Sequence, residues 1–275
     1  MIKDLLVNIS VGVENDATLD YAFGLANTFE AHAAAVAFAQ EAVPPAMLMD
    51  EVPPTWIEEF RRESERAAAL AVERCKAAAE RAGIAVEARW MPASFAGNGD
   101  MFGRIARRFD LSVVRQSEPG QVGAADLIIE AALFSTGRPV VIVPYIQKNG
   151  PKLERIMLCW DGSSSASRAA SDAMPFLKRA KVVEVAIVKE HGKSDEAPGA
   201  DIAQHLARHG LTVEVKEIVA PSAKPADVIL SHAADSGADF LVMGGFGHSR
   251  LREFVLGGVT RSILQTMTIP TLMSH

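Results

Sequence analysis

Three short blocks occur twice, in the same order, along the 275 residues. Leu5-Leu6-Val7-Asn8-Ile9-Ser10 returns as Ile156-Met157-Leu158-Cys159-Trp160-Asp161. Asp110-Leu111-Ser112-Val113-Val114 returns as Asp239-Phe240-Leu241-Val242-Met243, and Arg138-Pro139-Val140-Val141-Ile142-Val143 as Ile269-Pro270-Thr271-Leu272-Met273. A long repeat constrains architecture more firmly than local propensity, because both copies must fold to the same plan. The chain therefore divides into 1–147 and 151–275. The join is the polar stretch Ile146-Gln147-Lys148-Asn149-Gly150-Pro151, whose Gly and Pro suit a linker.

Within each copy, strand and helix signals alternate. In the second, Arg155–Trp160, Val182–Val188, Leu211–Val219, Asp239–Met243 and Thr271–Met273 read as strands. Ser163–Arg179, Ala200–His209, Pro225–Ser236 and Val259–Thr266 read as helices, with Pro175 predicting a kink or an earlier end in the first of them. Gly210 and Gly237 are placed to close helices. In the first copy, Pro54–Arg81 is rich in Ala, Glu and Arg and predicts a long helix closed by Gly83. Strands separated by helices imply parallel pairing. The expected fold is α/β: two tandem doubly wound domains, each a mainly parallel five-stranded sheet with helices on both faces, Rossmann-like in plan.

Composition narrows the function classes. Hydrophobic residues make up 49% and charged residues 23%, which excludes disorder for most of the chain. No apolar run is long enough to span a bilayer, and Met1–Ser10 lacks the pattern of a signal peptide. A net charge of −6 opposes a nucleic-acid field over the whole molecule. The two cysteines, Cys75 and Cys159, form neither a zinc spacing nor a disulfide framework. The expectation is a cytoplasmic protein with no membrane or nucleic-acid partner.

The segment most like a site follows the fourth strand of the second copy: Met243-Gly244-Gly245-Phe246-Gly247-His248-Ser249-Arg250, continuing to Gly257-Gly258-Val259-Thr260-Arg261. In a doubly wound sheet, ligands bind beyond the carboxyl ends of the strands. Glycines there allow close backbone approach. A glycine pair opening the next helix presents free N–H groups and the positive end of the helix dipole, which favour phosphate. His248, Arg250, Arg252 and Arg261 add local positive charge.

Written as G-x2-G-x9-G-G, over Gly244, Gly247, Gly257 and Gly258, this segment resembles the nucleotide-binding members of the universal stress protein family. Those members carry G-x2-G-x9-G followed by Ser or Thr, then a last strand after a Pro, as Pro270 stands here. Asp161 matches the family's Asp at the tip of the first strand. The resemblance covers the second copy almost end to end and the first copy more weakly. It implies an adenine nucleotide, most simply ATP with Mg2+ as its counter-ion. Asp161 would lie near ribose and phosphates, and Met243, Gly244, Gly247 and His248 along the glycine-rich loop. Gly257, Gly258, Val259 and Thr260 would lie at the phosphates, and Ala186, between Val185 and Ile187, would offer backbone contacts to adenine. It also implies pairing through final strands, so Val140–Val143 and Thr271–Met273 are expected to form an intrachain pseudo-dimer, with a homodimer of whole chains left open.

One departure is Gly258, where the family has Ser or Thr. The amide survives and a hydroxyl is lost, with Thr260 as a candidate substitute. The first copy departs further. Counted from Asp110 and Asp239, Arg115 falls opposite Gly244 and Glu118 opposite Gly247. Counted back from Pro139 and Pro270, Asp126 and Leu127 fall opposite Gly257 and Gly258; Ser10 stands at the place of Asp161. Acidic side chains where phosphate would sit predict that the first copy does not bind nucleotide in this way.

Simpler readings stand beside these. The glycines can serve a tight turn, Asp161 can cap the serine-rich helix start rather than face Mg2+, and His248 can be a loop residue rather than a general acid or base. The Arg61–Arg66 run reads as a solvated helix face, and both cysteines as small buried hydrophobes. No G-x4-G-K-[ST] motif and no nucleophile context is present, so fast hydrolysis is not expected. The expected function is a nucleotide-binding regulatory protein of stress adaptation. The alternatives are a slow ATPase and an interaction module without nucleotide.

Overall fold

A computed structural model describes residues 1–42, 53–118, 123–189, 199–219, 224–245 and 258–275. The first half runs β1 (Asp4–Asn8), α1 (Ala17–Phe29), β2 (His32–Glu41), α2 (Pro54–Arg81), β3 (Val86–Ser94), α3 (Gly97–Ala106), β4 (Leu111–Arg115), α4 (Ala124–Phe134) and β5 (Val140–Val143). The second runs β6 (Arg155–Cys159), α5 (Ser164–Asp172), α6 (Met174–Leu177), β7 (Val182–Lys189), α7 (Ala200–Arg208), β8 (Val213–Val219), α8 (Pro225–Ser236), β9 (Phe240–Gly244), α9 (Gly258–Thr266) and β10 (Thr271–Ser274).

The strands form one sheet of ten, in the order β3-β2-β1-β4-β5-β10-β9-β6-β7-β8. Each half is parallel and repeats one order. The halves meet through β5 and β10, which pair antiparallel with Thr271 opposite Ile142 and Met273 opposite Val140. The two expected sheets are thus one continuous sheet, and the expected pairing of final strands is its seam. The seam strands are buried on both faces, as central strands between helical layers are; β5 is wholly apolar, while β10 buries Thr271 and Ser274 beside Leu272 and Met273. The free edges are β3 and β8, which carry most of the exposed strand residues.

The repeated aspartates have a structural cause. Asp110 Oδ2 accepts from the Lys3 and Asp4 amides at 2.8 and 3.2 Å, tying the start of β4 to the start of β1. Asp239 Oδ2 does the same for β9 and β6, accepting from Glu154 at 2.9 Å and Arg155 at 3.4 Å. Pro175 divides the expected Ser163–Arg179 helix into α5 and α6, because its ring nitrogen cannot donate to the preceding turn. Gly237 closes α8 with φ of +71°, a conformation that costs glycine least.

Packing joins the halves as well as the sheet does. Phe176 of α6 stacks on Phe240 of β9 at 5.0 Å and meets Phe29 of α1 edge-on at 4.8 Å. Burying a side chain of that size contributes about 2–3 kcal/mol. The expected linker is held down too. A Cβ on Gly24 of α1 would collide with the Pro151 ring, and Leu153 is buried although its φ is +56°. Among the described residues, no helix is long and apolar enough to cross a membrane.

Candidate anion-binding crevice

The strand order reverses direction at β6 and β9, so their carboxyl ends diverge beyond Leu158 and Val242, the last paired residues. Asp161 lies just past β6, Gly244 ends β9, and the N-termini of α5 and α9 belong to the connections that leave this point. Asp161 and Gly244 therefore stand at the carboxyl ends of neighbouring strands, where an open α/β sheet offers a crevice.

Asp161 is exposed, and its Oδ1 accepts from the Ser163 amide at 2.9 Å. The helix cap itself is Ser163, whose Oγ accepts from the Ala166 amide at 3.1 Å. The capping alternative for Asp161 is thus met only as a local turn. Gly258 is the first residue of α9 and exposed, with open space where a Cβ would point. Val259 is half-buried beside it. Arg261, on the same helix, is exposed and adds positive charge.

Other selected residues have different surroundings. Met243 is 5% exposed and packs in the core, so its side chain serves packing rather than the crevice. Ala186 is buried within the sheet, and its carbonyl accepts from the Trp160 amide at 2.9 Å, so that oxygen is engaged by the fold. Thr260 is 5% exposed, which places the substitute hydroxyl inside rather than beside the open helix start. A Cβ on Gly244 would lie 2.6 Å from the Ala166 nitrogen and the Ser165 carbonyl carbon. The close seat of α5 on β9 alone therefore requires glycine there. Gly247, His248 and Gly257 lie outside the described residues, as do Arg250 and Arg252. Ser165, buried under Gly244 with its Oγ 3.0 Å from that of Ser163, belongs to this wall. The serine cluster was its only sequence signal.

Burial pushes the Cys159 thiol up to about 12, with Asp161 and Glu184 adding negative charge. Cys75 is pushed up to about 12 as well, by burial and then by Asp16. Cys75 is buried, as expected, and Cys159 half-buried, and a raised pKa disfavours the reactive thiolate in both. Among the described residues, no group of three or more His, Cys, Asp or Glu could hold a metal ion.

The same place in the first half is filled by the chain's own charges. Arg115, the mate of Gly244, pairs with Glu118 at 2.7 Å and lies 4.0 Å from Asp16, the cap of α1. Asp126 sits in the first turn of α4, where its carboxylate accepts from Ser117 Oγ at 2.6 Å and the Gly123 amide at 3.0 Å. A helix start that attracts anions already has one.

Residues 152–275 match the model of the Universal stress protein family. A Universal stress protein Slr1230 from Synechocystis is 26% identical over 162 residues, covering 56% of this chain and 51% of that protein. The Universal stress protein YxiE from Bacillus subtilis is 37% identical over 57 residues, 21% of this chain and 38% of that one. The chain thus spans about half of the first relative and less of the second. In fold it is similar to the crystal structure of a universal stress protein from Archaeoglobus fulgidus, with a TM-score of 0.71 at 15% identity over 98% of this chain and 95% of that one.

Proposed function

We propose, from the premise that residues 152–275 belong to the universal stress protein family, that this half binds an adenine nucleotide, with ATP the first candidate. Occupancy would regulate assembly or partner contacts in stress adaptation. The observation that carries the reading is the exposed glycine start of α9, with open space where a Cβ would point, on the connection that leaves the reversal point of strand order, where β6 is followed by the exposed Asp161. An exposed helix start accommodates phosphate without rearrangement. Asp161 is the carboxylate placed to meet a phosphate-bound Mg2+, which commonly uses one or two protein carboxylates. No described side chain stands out as an activated nucleophile, so the reading is a nucleotide-controlled switch, with hydrolysis at most slow.

An interaction module without nucleotide is the second reading. It is favoured by Gly244, whose lack of a side chain the packing of α5 explains without any ligand.

Isothermal titration of nucleotide-stripped protein with MgATP separates the two. The expected result is about one ATP per chain, lost in Gly247→Glu, which places in the second half the acid that Glu118 supplies in the first. No binding by the unmodified protein would sink the ATP reading in favour of the module. Phosphate release over hours distinguishes a switch from a slow ATPase.

A further inference from the structure

We propose that Gln116, a residue of the first half, is a positioning residue for the crevice of the second. The part of this inference that concerns ligand rests on the nucleotide reading above. Gln116 directly follows β4 and is fully buried. Its Nε2 donates to the carbonyl of Leu264, in the last turn of α9, at 2.9 Å. Its Oε1 accepts from the Tyr145 amide at 3.3 Å, and its own amide donates to the Val143 carbonyl at 2.8 Å. Every polar group named here is therefore committed, and each bond fixes the carboxamide a little more.

The acceptor matters because the last four carbonyls of a helix have no partner within it. Leu264 is one of these, so α9 is capped at its carboxyl end by a side chain from the other half. The amino end of that same short helix is Gly258, on the connection that leaves β9. A nine-residue helix tilts as one body, so holding one end fixes where the other presents its N–H groups.

The repeat shows that this contact is one-sided. The mate of Gln116 is Gly245, which also follows its strand directly and whose amide donates to Ser274 at 2.8 Å, as that of Gln116 does to Val143. Gly245 has no side chain to send back; a Cβ there would lie 3.5 Å from Leu133 Cδ2 on α4. Among the described residues, the latch at this position runs from the filled crevice toward the open one. Its base is rigid: Arg115 before it pairs with Glu118, and Ser117 after it donates to Asp126. The charges that close the first crevice hold the segment that positions the second.

The test uses the full chain with Gln116→Met, which keeps length and volume but no hydrogen bond, and Gln116→Glu, which keeps an acceptor for Tyr145 and loses the donor to Leu264. Thr136→Val is the control, because it removes local bonds at the end of α4 without touching α9. Hydrogen exchange without nucleotide should show α9 amides exchanging ~10-fold faster in both Gln116 variants, with β1 and β2 unchanged. MgATP affinity should fall ~3- to 10-fold in both, and stay at the parent value in the control. Unchanged α9 exchange overturns the proposal, and so does loosened α9 with undiminished affinity. If the parent protein binds no MgATP, the nucleotide reading fails, while exchange at α9 still decides whether Gln116 holds the helix.

Discussion

The two crevices of this chain share one strand order and opposite chemistry. In the first, the places of the motif glycines hold Arg115 and Glu118, paired with each other, while Asp126 supplies the negative charge at the start of α4. In the second, α9 opens on an exposed glycine and α5 sits directly on the backbone of β9. A doubly wound fold thus does not dictate a ligand site. It dictates a place with exposed helix starts, and side chains decide whether that place is closed from within.

The comparison breaks most visibly at Gly244. Gly244→Ala should cost about 3 kcal/mol or more, because the new Cβ meets the backbone of α5 rather than a flexible side chain. Arg115→Gly, at the matching place, should cost about 1–2 kcal/mol, since it loses the pair with the exposed Glu118 and a longer contact with the buried Asp16. Urea midpoints of the two variants check the ordering. A cost for Gly244→Ala under about 1 kcal/mol would mean that the seat of α5 does not require Gly244, and would return that glycine to ligand binding.

Next in size is Asp126→Ala, expected to cost about 1–2 kcal/mol through loss of a cap-like carboxylate and its bonds from Ser117 and Gly123. Thermal melts would detect it. Phosphate should raise the melting temperature of the variant more than that of the parent, because the variant adds an unanswered start at α4 to the one at α9.

Gly258→Ser should sharpen the second crevice. The added Cβ enters open space, so stability should change by under about 0.5 kcal/mol. One regained hydrogen bond should raise MgATP affinity by up to ~10-fold in titration. A weaker or unchanged affinity would show that the hydroxyl is not what the site lacks.

The smallest effect concerns Asp239. Burial raises its carboxyl above the usual range, against the lowering effect of the amides of Glu154 and Arg155. The folded state therefore retains this proton at pH values where the unfolded chain has released it. Stability from this group is present below the ordinary aspartate value and is lost as pH rises through the raised one. Asp239→Asn should remove that decline, seen as a flatter plot of urea midpoint against pH above the ordinary aspartate value than the parent gives.

Much of this was legible in the residues. The repeat announced two copies of one plan, and Asp110 and Asp239 marked a real strand tie in each. Pro175 cut its helix, and the ends of α2 and α8 lay where Pro54, Gly83, Pro225 and Gly237 put them. These are local effects, governed by a missing N–H, a permitted φ or a helix propensity. The glycine motif was legible as a pattern, but not the separate reasons for its glycines. Gly244 looks like a ligand residue in sequence, yet its close contact is with Ser165 and Ala166, far away along the chain. Met243 and Thr260 were assigned with the motif they adjoin and Ala186 from strand order; the pleat and the helix turn bury the side chains of all three.

What the sequence determined by itself was the alternation of strand and helix, the doubled plan, the difference in charge between the two crevices, and the apolar final strands able to pair. Tertiary structure alone decided that Pro151 is pressed onto Gly24, and that Gln116 spans 148 residues to cap α9. The physical reason is range. Patterning, capping and charge act over a few residues and can be counted along the chain, while close packing and buried carbonyls find partners only once distant segments share one core.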